Sequence, residues 1–358
     1  MNEERMKRVL MRLENSGAAQ MIVTEPVAVY WLSGKMIDPG ERFLGLYLHE
    51  NEMPVLFVNR LFPCEEDGFR IVWYSDGDDV IGLLRKTIHQ DETLGVDKNM
   101  AARFLLPLFE QHAAPVIING SAAVDAARAV KDETELEYLR ISSRINDAAM
   151  ARFKALVHEG VTEREVADQT AAIYQQLGGE PFSFPPIVSF GANAADPHHM
   201  PDDTVVKEGD CVLFDVGCKY HGYCSDMTRT FYFKKAPGER VQKIYNLVRL
   251  ANETAEQQER AGMKRSDIDA IARDIITAGG YGEQFNHRLG HFIGLTDHEE
   301  GDISMADHAV LEENNVHSIE PGIYLANDTG VRIEDLVIVT DNGVEVLNKY
   351  PKDIEVID

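Results

Sequence analysis

The sequence predicts an α+β protein in two parts. A small α/β domain occupies residues 1–125, and residues 126–358 form a larger domain of antiparallel strands flanked by helices. Three observations carry this reading. Apolar spacing in the first third switches repeatedly between the helical and the strand period. One long helical pattern, residues 122–155, then marks a change of character. Beyond it, strand-like runs dominate, with a few amphipathic helices between them. A length of 358 residues agrees with two cores at roughly 100–200 residues per domain.

Taken in order, residues 3–15 have apolar positions at helical spacing, AAQMIVTEP reads as a strand, and VAVYWLSG reads as a strand running into a turn. FLGLYLHENEMPVLFVN is a hairpin pattern with Glu50-Asn51-Glu52 at its tip. RIVWY, TLGVD and PVIING supply further strands, with helical stretches over 79–90 and 100–112. In the second part, the pattern over 122–155 bends near Lys131-Asp132-Glu133. Thr162, followed three residues later by Glu165, opens a helix over 162–177 with capping-box spacing. PPIVSFG, CVLFDVGCKY, YCSDMTRTFYF, HSIEPGIYLA and VRIEDLVIVT read as strands, interrupted by helices over 238–260 and 266–279.

Composition narrows the function. With 35 Lys+Arg against 60 Asp+Glu, the formal charge is −25, which repels phosphates and argues against nucleic acid or an anionic membrane as partner. No apolar run reaches the ~18–20 residues of a spanning helix, and the N-terminus lacks the apolar core of a secretion signal. Cys64, Cys211, Cys218 and Cys224 form no CxxC pair, so a reduced, cytoplasmic protein is expected.

Four acids stand where strands normally hold apolar residues: Asp215 after CVLF, Asp226 in CSDMTRTF, Glu320 after HSI and Glu334 after VRI. A carboxylate in a strand interior is costly unless it is paired or bound to a cation. If His221-Gly222 is a two-residue loop, Asp215 falls opposite Thr228, and Asp226 is its diagonal neighbour on the same face. The second pair is open. Closing 327–330 as a four-residue loop puts Glu320 and Glu334 on opposite faces, so either the loop closes differently or a bulge intervenes at Pro321-Gly322. NHRLGHFIGLTDHEE adds His287, His291 and His298, while His198 and His199 follow the 191–197 loop. Four carboxylates with one imidazole make a hard donor set suited to Mn²⁺, Co²⁺ or Zn²⁺. Two such ions can activate water and polarise a carbonyl. That chemistry is hydrolytic.

In order, Asp215 of FDVG, Asp226 of SDMTRT, His291 of GHFIGL, Glu320 of IEPGIY and Glu334 of VRIED resemble the five metal ligands of the pita-bread metallopeptidases. The N-terminal YWLSG and DPGERFLGLYL are similar to the N-terminal domain of the Xaa-Pro dipeptidase (prolidase) and aminopeptidase P branch, a creatinase-N-like domain. The resemblance implies two divalent ions per subunit, Mn²⁺ foremost, with Asp226 and Glu334 bridging, Asp215 on one ion, and His291 with Glu320 on the other. It implies Glu320 as the group that takes the proton from water, and His198 and His298 as substrate-facing catalytic histidines. His287 and Arg332 would support the site from behind. It further implies short proline-containing peptides as substrates and a homodimer. The Asp38–Arg42 turn reads as a polar connection, the functional alternative being that it reaches a neighbouring subunit's site with Arg42 at its end.

The activity implied is cleavage of the Xaa-Pro bond in dipeptides. The alternatives are an Xaa-Pro aminopeptidase acting on longer peptides and a binding protein that has lost catalysis; the second fits poorly with a full ligand set. Two departures from the family pattern stand out: Phe292 where Gly is usual, and Gly301 after His298-Glu299-Glu300 where Pro is usual. Residues 289–331 contain no Lys or Arg, which leaves Arg332, His198 or Arg42 of a neighbouring subunit to meet a dipeptide's carboxylate. His199 and His308 read as ordinary packing or surface histidines, and Cys211, Cys218 and Cys224 as small buried side chains rather than ligands.

Overall fold

Six short strands build one mixed sheet in the N-terminal part, in the order 70–74, 55–59, 45–49, 20–23, 94–96, 117–119. The chain is described over residues 1–358 by a computed structural model and divides into two units, Met1–Arg128 and Ala129–Asp358. Strands Gly45–His49 and Val55–Asn59 are the hairpin read from the sequence, with Tyr47 opposite Val55. One element differs. VAVYWLSG is a helix, Pro26–Ser33, not a strand. Its residues are apolar all round, so periodicity cannot separate the two states; the punctuation decides. Pro26 presets the first turn, and Gly34 closes the last with φ 75° and its N–H on the Tyr30 carbonyl.

The helical pattern over 122–155 is two helices, Ser121–Ala129 and Glu133–Lys154. Between them Val130 bridges to Asn315, and Asp132 caps the second helix in a reciprocal box with Glu135. The helix Glu163–Gln176 starts on the Thr162–Glu165 box anticipated from sequence. No helix in the chain is long and apolar enough to cross a membrane.

In the C-terminal unit, strands Cys211–Val216 and Met227–Phe233 pair antiparallel, Thr228 opposite Asp215 and Tyr220 opposite Tyr223. The sheet they belong to is buried on both faces. Phe214 and Phe231 pack with Phe153 and Tyr174 on one side, and Leu213 and Tyr232 with Ile244 and Val248 on the other. This is why these strands read as unbroken apolar runs and why an acid within them is conspicuous.

The open question about the second acid pair is answered by the loop. Val316 pairs with Ile338, Ile319 with Asp335, Gly322 with Arg332 and Leu325 with Thr329, a single register from end to end. The turn is therefore three residues, Ala326–Asp328, with Asn327 at φ 60°, and no bulge is needed. Shortening the loop by one residue changes the register by an odd number of positions, which moves every side chain to the other face. At the gap in the ladder, Glu320 and Glu334 face one another. Their N–H groups turn away, Glu320 to the Leu289 carbonyl at 2.8 Å and Glu334 to the Thr228 carbonyl at 3.1 Å.

Arg229 locks these elements together from within the core. Its Nη1 donates to the Thr228 and Glu334 carbonyls at 2.9 and 2.7 Å, and its Nη2 to Asp335 Oδ1 at 2.7 Å and to the Tyr350 carbonyl at 2.8 Å. Breaking one partner of a buried pair costs about 3–5 kcal/mol, because the other charge stays buried. Arg229→Met is expected to lower the free energy of urea unfolding by about that much; a change under ~0.5 kcal/mol, the range of surface substitutions, would show that the guanidinium holds nothing.

Candidate metal centre

Strand register delivers the acidic side chains to one place. Asp215 and Asp226 come from the hairpin, Glu320 and Glu334 from the break in the second ladder, and His291 from the short strand Gly290–Phe292. His291 Nε2 lies 3.5 Å from Glu320 Oε1 and 3.7 Å from Asp226 Oδ2. Donor atoms of Asp226, His291 and Glu334 all fall within 4.8 Å of one another. The Nδ1 of His291 donates to its neighbour's carbonyl at 3.3 Å, so the Nε2 lone pair is the one facing the carboxylates.

Apart from Arg332 on Asp215, no cationic side chain is bonded to these carboxylates. Burial, then the charges of Glu334 and Asp215, hold Asp226 well above the usual carboxylate range. Burial together with Glu320 and Asp215 does the same to Glu334. Glu320 is pushed up to about 7, chiefly by burial. Burial, with His298 and Arg288 nearby, keeps His291 well below the ordinary imidazole value. Asp215 Oδ1 and Asp226 Oδ1 are buried and accept no hydrogen bond. Orphaned carboxylate oxygens beside a neutral imidazole are a donor set that fits hard or borderline divalent cations. The thiols do not belong to it: burial lifts Cys218 and Cys224 to about 12.

A second layer holds the first. Arg332, 2% exposed, donates from Nη2 to Asp215 Oδ2 at 2.5 Å, from Nε to Thr228 Oγ1 at 3.0 Å and from Nη1 to the Tyr324 hydroxyl at 3.0 Å. Thr228 Oγ1 in turn donates to Glu334 Oε2 at 2.7 Å. His287 Nδ1 donates to the Arg288 carbonyl at 2.7 Å, and its Nε2 accepts from the Tyr324 hydroxyl at 2.9 Å. Burial and Arg332 hold His287 neutral, with a pKa lowered to about 3. Ser318 Oγ accepts from the His291 N–H at 3.0 Å and donates to Glu320 Oε1 at 3.2 Å.

These groups border a cavity of about 720 Å³ that also takes in His198, His298, Arg288 and Asp297. The His298 ring meets His291 edge-on, centroids 4.0 Å apart. His198 sits on a loop fixed from behind by the buried Glu163. That carboxylate accepts from the Phe190 N–H at 2.7 Å, Asn193 Nδ2 at 2.9 Å, His199 Nε2 at 2.7 Å and the Asp202 N–H at 3.1 Å. His199 is thus a structural ligand of the loop, and His308 bonds Ser266 near the surface. Arg42 forks onto Asp76 within the N-terminal unit, at 2.8 and 3.0 Å.

The two departures from the family pattern are one packing event. The Phe292 ring is fully buried and points away from the cavity, stacked on His317, with the Arg265 guanidinium 4.4 Å from its centroid. It does not narrow the pocket. Gly301, at φ 127°, lies under it: a Cβ there would stand 3.0 Å from the ring. A larger ring at 292 and no side chain at 301 compensate each other.

Sequence reasoning missed Arg288, Tyr324 and Asp297. Tyr324 follows Ile323 in IEPGIY and reads as a strand aromatic; only the three-residue loop turns its hydroxyl toward Arg332. Asp297 and Arg288 flank residues that were recognised and carried no signal of their own.

The family description "Metallopeptidase family M24" matches residues 137–341, and "Creatinase/Prolidase N-terminal domain" matches residues 5–130. An uncharacterized peptidase of Staphylococcus epidermidis is 36% identical over 357 residues, 97% of this chain and 99% of that protein. Among solved structures, recombinant prolidase from Thermococcus sibiricus superposes with a TM-score of 0.90 at 32% identity, over 99% of both chains. Dipeptidase PepE from Mycobacterium ulcerans gives 0.92 at 31% identity, over 99% of this chain and 97% of that one. The succession of domains and the mixed helices and sheets match the pita-bread architecture implied by the sequence.

The raised carboxylate values set the pH dependence of metal binding. Glu320 in the metal-free fold keeps its proton up to about pH 7, so stability from that protonated form is present below the ordinary carboxylate pKa and lost as pH rises through 7. A cation reverses this loss, because it binds the charged forms. The rise in Tm on adding Mn²⁺ to chelator-treated protein is therefore expected to be larger at pH 8 than at pH 5.5, and an equal rise at both would contradict the crowding described above.

Proposed function

Because the chain belongs to metallopeptidase family M24, we propose that it is a dinuclear-metal Xaa-Pro dipeptidase. The observation that supports this most is the convergence of Asp215, Asp226, His291, Glu320 and Glu334 on one cavity wall with two carboxylate oxygens unpartnered. In this reading Asp215, Asp226, His291, Glu320 and Glu334 would hold the two ions. Mn²⁺ is the proposed native ion, ahead of Co²⁺ and Zn²⁺. Bound there, the ions supply a Lewis acid for the scissile carbonyl and lower the pKa of water. The chain is further proposed to act in the cytoplasm as a homodimer.

The residues of the chain do the rest. Glu320 Oε1 is held by the Ser318 hydroxyl, which leaves Oε2 to take a proton from the attacking water. The same carboxylate is placed to accept that proton and to return it. The return matters, since a bond to proline is a tertiary amide whose nitrogen has no N–H and departs only when protonated. His198 and His298 face the cavity as donors for the oxygen that gains charge as the carbonyl is attacked. His287, Tyr324 and Arg332 fix Asp215 and exclude water behind it.

A panel of Ala-Pro and Ala-Pro-Ala with Mn²⁺, Co²⁺ and Zn²⁺ supplied in turn tests the proposal. Cleavage of the dipeptide in preference to the tripeptide is expected; the reverse order would assign the chain to the aminopeptidases, and no cleavage of either would end the hydrolase reading. In the active enzyme, Glu320→Gln is expected to lower kcat by about 10²–10⁴-fold. His298→Ala is expected to cost about 10²-fold in kcat, as loss of a transition-state donor does. A full rate in either variant would remove that residue from the mechanism.

A further inference from the structure

Hydrolysing a dipeptide poses a recognition problem separate from catalysis. The leaving proline carries a free carboxylate within a few bonds of the scissile nitrogen, so that charge must enter the cavity and find a cation there. The cavity is dominated by acids, and Arg288 and Arg332 are the cationic residues that border it besides its histidines. Arg332 is committed. Its guanidinium is buried, and each of its nitrogens is engaged with Asp215, Thr228 or Tyr324.

Arg288 is placed differently. It is about one-third exposed and uses Nη1 on Asp302, while its remaining guanidinium nitrogens bond no other protein group. The segment it rides on is pinned: Arg273 donates to the Phe285 and His287 carbonyls at 2.9 and 2.8 Å. Asp269 accepts from the Leu289 N–H at 3.1 Å. The position of the side chain at the cavity rim is therefore set by rigid backbone. Its charge is felt at the reacting end as well, acting on His291, His298 and Glu320.

We propose that Arg288 is the specificity-determining residue that receives the substrate's C-terminal carboxylate, so that a dipeptide is read by its length as well as by its proline. Asp302 acts as a tether that keeps the guanidinium extended, and the planar fork presents its free edge to the carboxylate. The inference rests on the dipeptidase reading and goes beyond it by naming the residue that separates dipeptides from longer or capped chains.

The test compares kcat/KM for Ala-Pro with that for Ala-Pro amide, which keeps every atom near the scissile bond but lacks the negative charge. Wild-type enzyme should favour the acid. Arg288→Ala should lower the ratio of acid to amide by about 10–100-fold, the usual weight of a charge-assisted hydrogen bond, and should act through KM for the acid. Arg288→Lys should restore part of the ratio, because it returns the charge without the fork. A general disturbance of the fold or of metal binding would depress both substrates together and leave the ratio unchanged, and that result overturns the proposal. Wild-type enzyme that cleaves neither compound would instead overturn the dipeptidase reading itself.

Discussion

The burial of several carboxylates in one small volume is the constraint around which the catalytic unit is arranged. Burial first, and the charges of neighbouring carboxylates after it, hold Asp226, Glu334 and Glu320 above the ordinary carboxylate range. No folding force favours that by itself. Strand pairing imposes it: the hairpin of 211–216 with 227–233 supplies one pair, the interrupted ladder of 316–325 with 329–340 the other. The rest of the unit bears the strain. Arg332 neutralises Asp215, Thr228 holds Glu334, and Arg229 ties the carbonyls of Thr228 and Glu334 to the core below.

This arrangement separates stability from chemistry. The sheet is packed by large apolar side chains on both faces, which gives it enough stability to hold a site that opposes folding. Functional groups occupy the places where the regular pattern stops: the end of a strand at Asp226, the unpaired step at Glu320 and Glu334, and the short strand that ends at Phe292. Breaks in a ladder free backbone N–H groups for longer reaches, and here those of Glu320 and Glu334 reach the neighbourhoods of His291 and Asp226.

How much of this was legible in the sequence depends on how local each determinant is. Asp215 and Asp226 could be paired on paper because a two-residue turn at His221-Gly222 fixes their register unambiguously. Glu320 and Glu334 could not, because one residue more or less in the turn at Asn327 reverses the faces, and turn length is not written in the composition. The helix at 26–33 was misread since its apolar run has no period; its Pro and Gly boundaries held the answer. Phe292 and Gly301 read as two separate departures in the sequence, and only the packing of the ring over Gly301 joins them. Arg288 escaped because its part in the cavity comes from the Arg273 and Asp269 clamp, a tertiary arrangement that no spacing rule contains.

The mount of His198 has a consequence of its own. One buried carboxylate, Glu163, gathers four donors spread from Phe190 to Asp202, so the loop is cross-braced at a single point. Its conformational freedom is surrendered once, while the chain folds, rather than afresh at each encounter with a peptide. The backbone that carries His198 is thereby held ready by the fold itself.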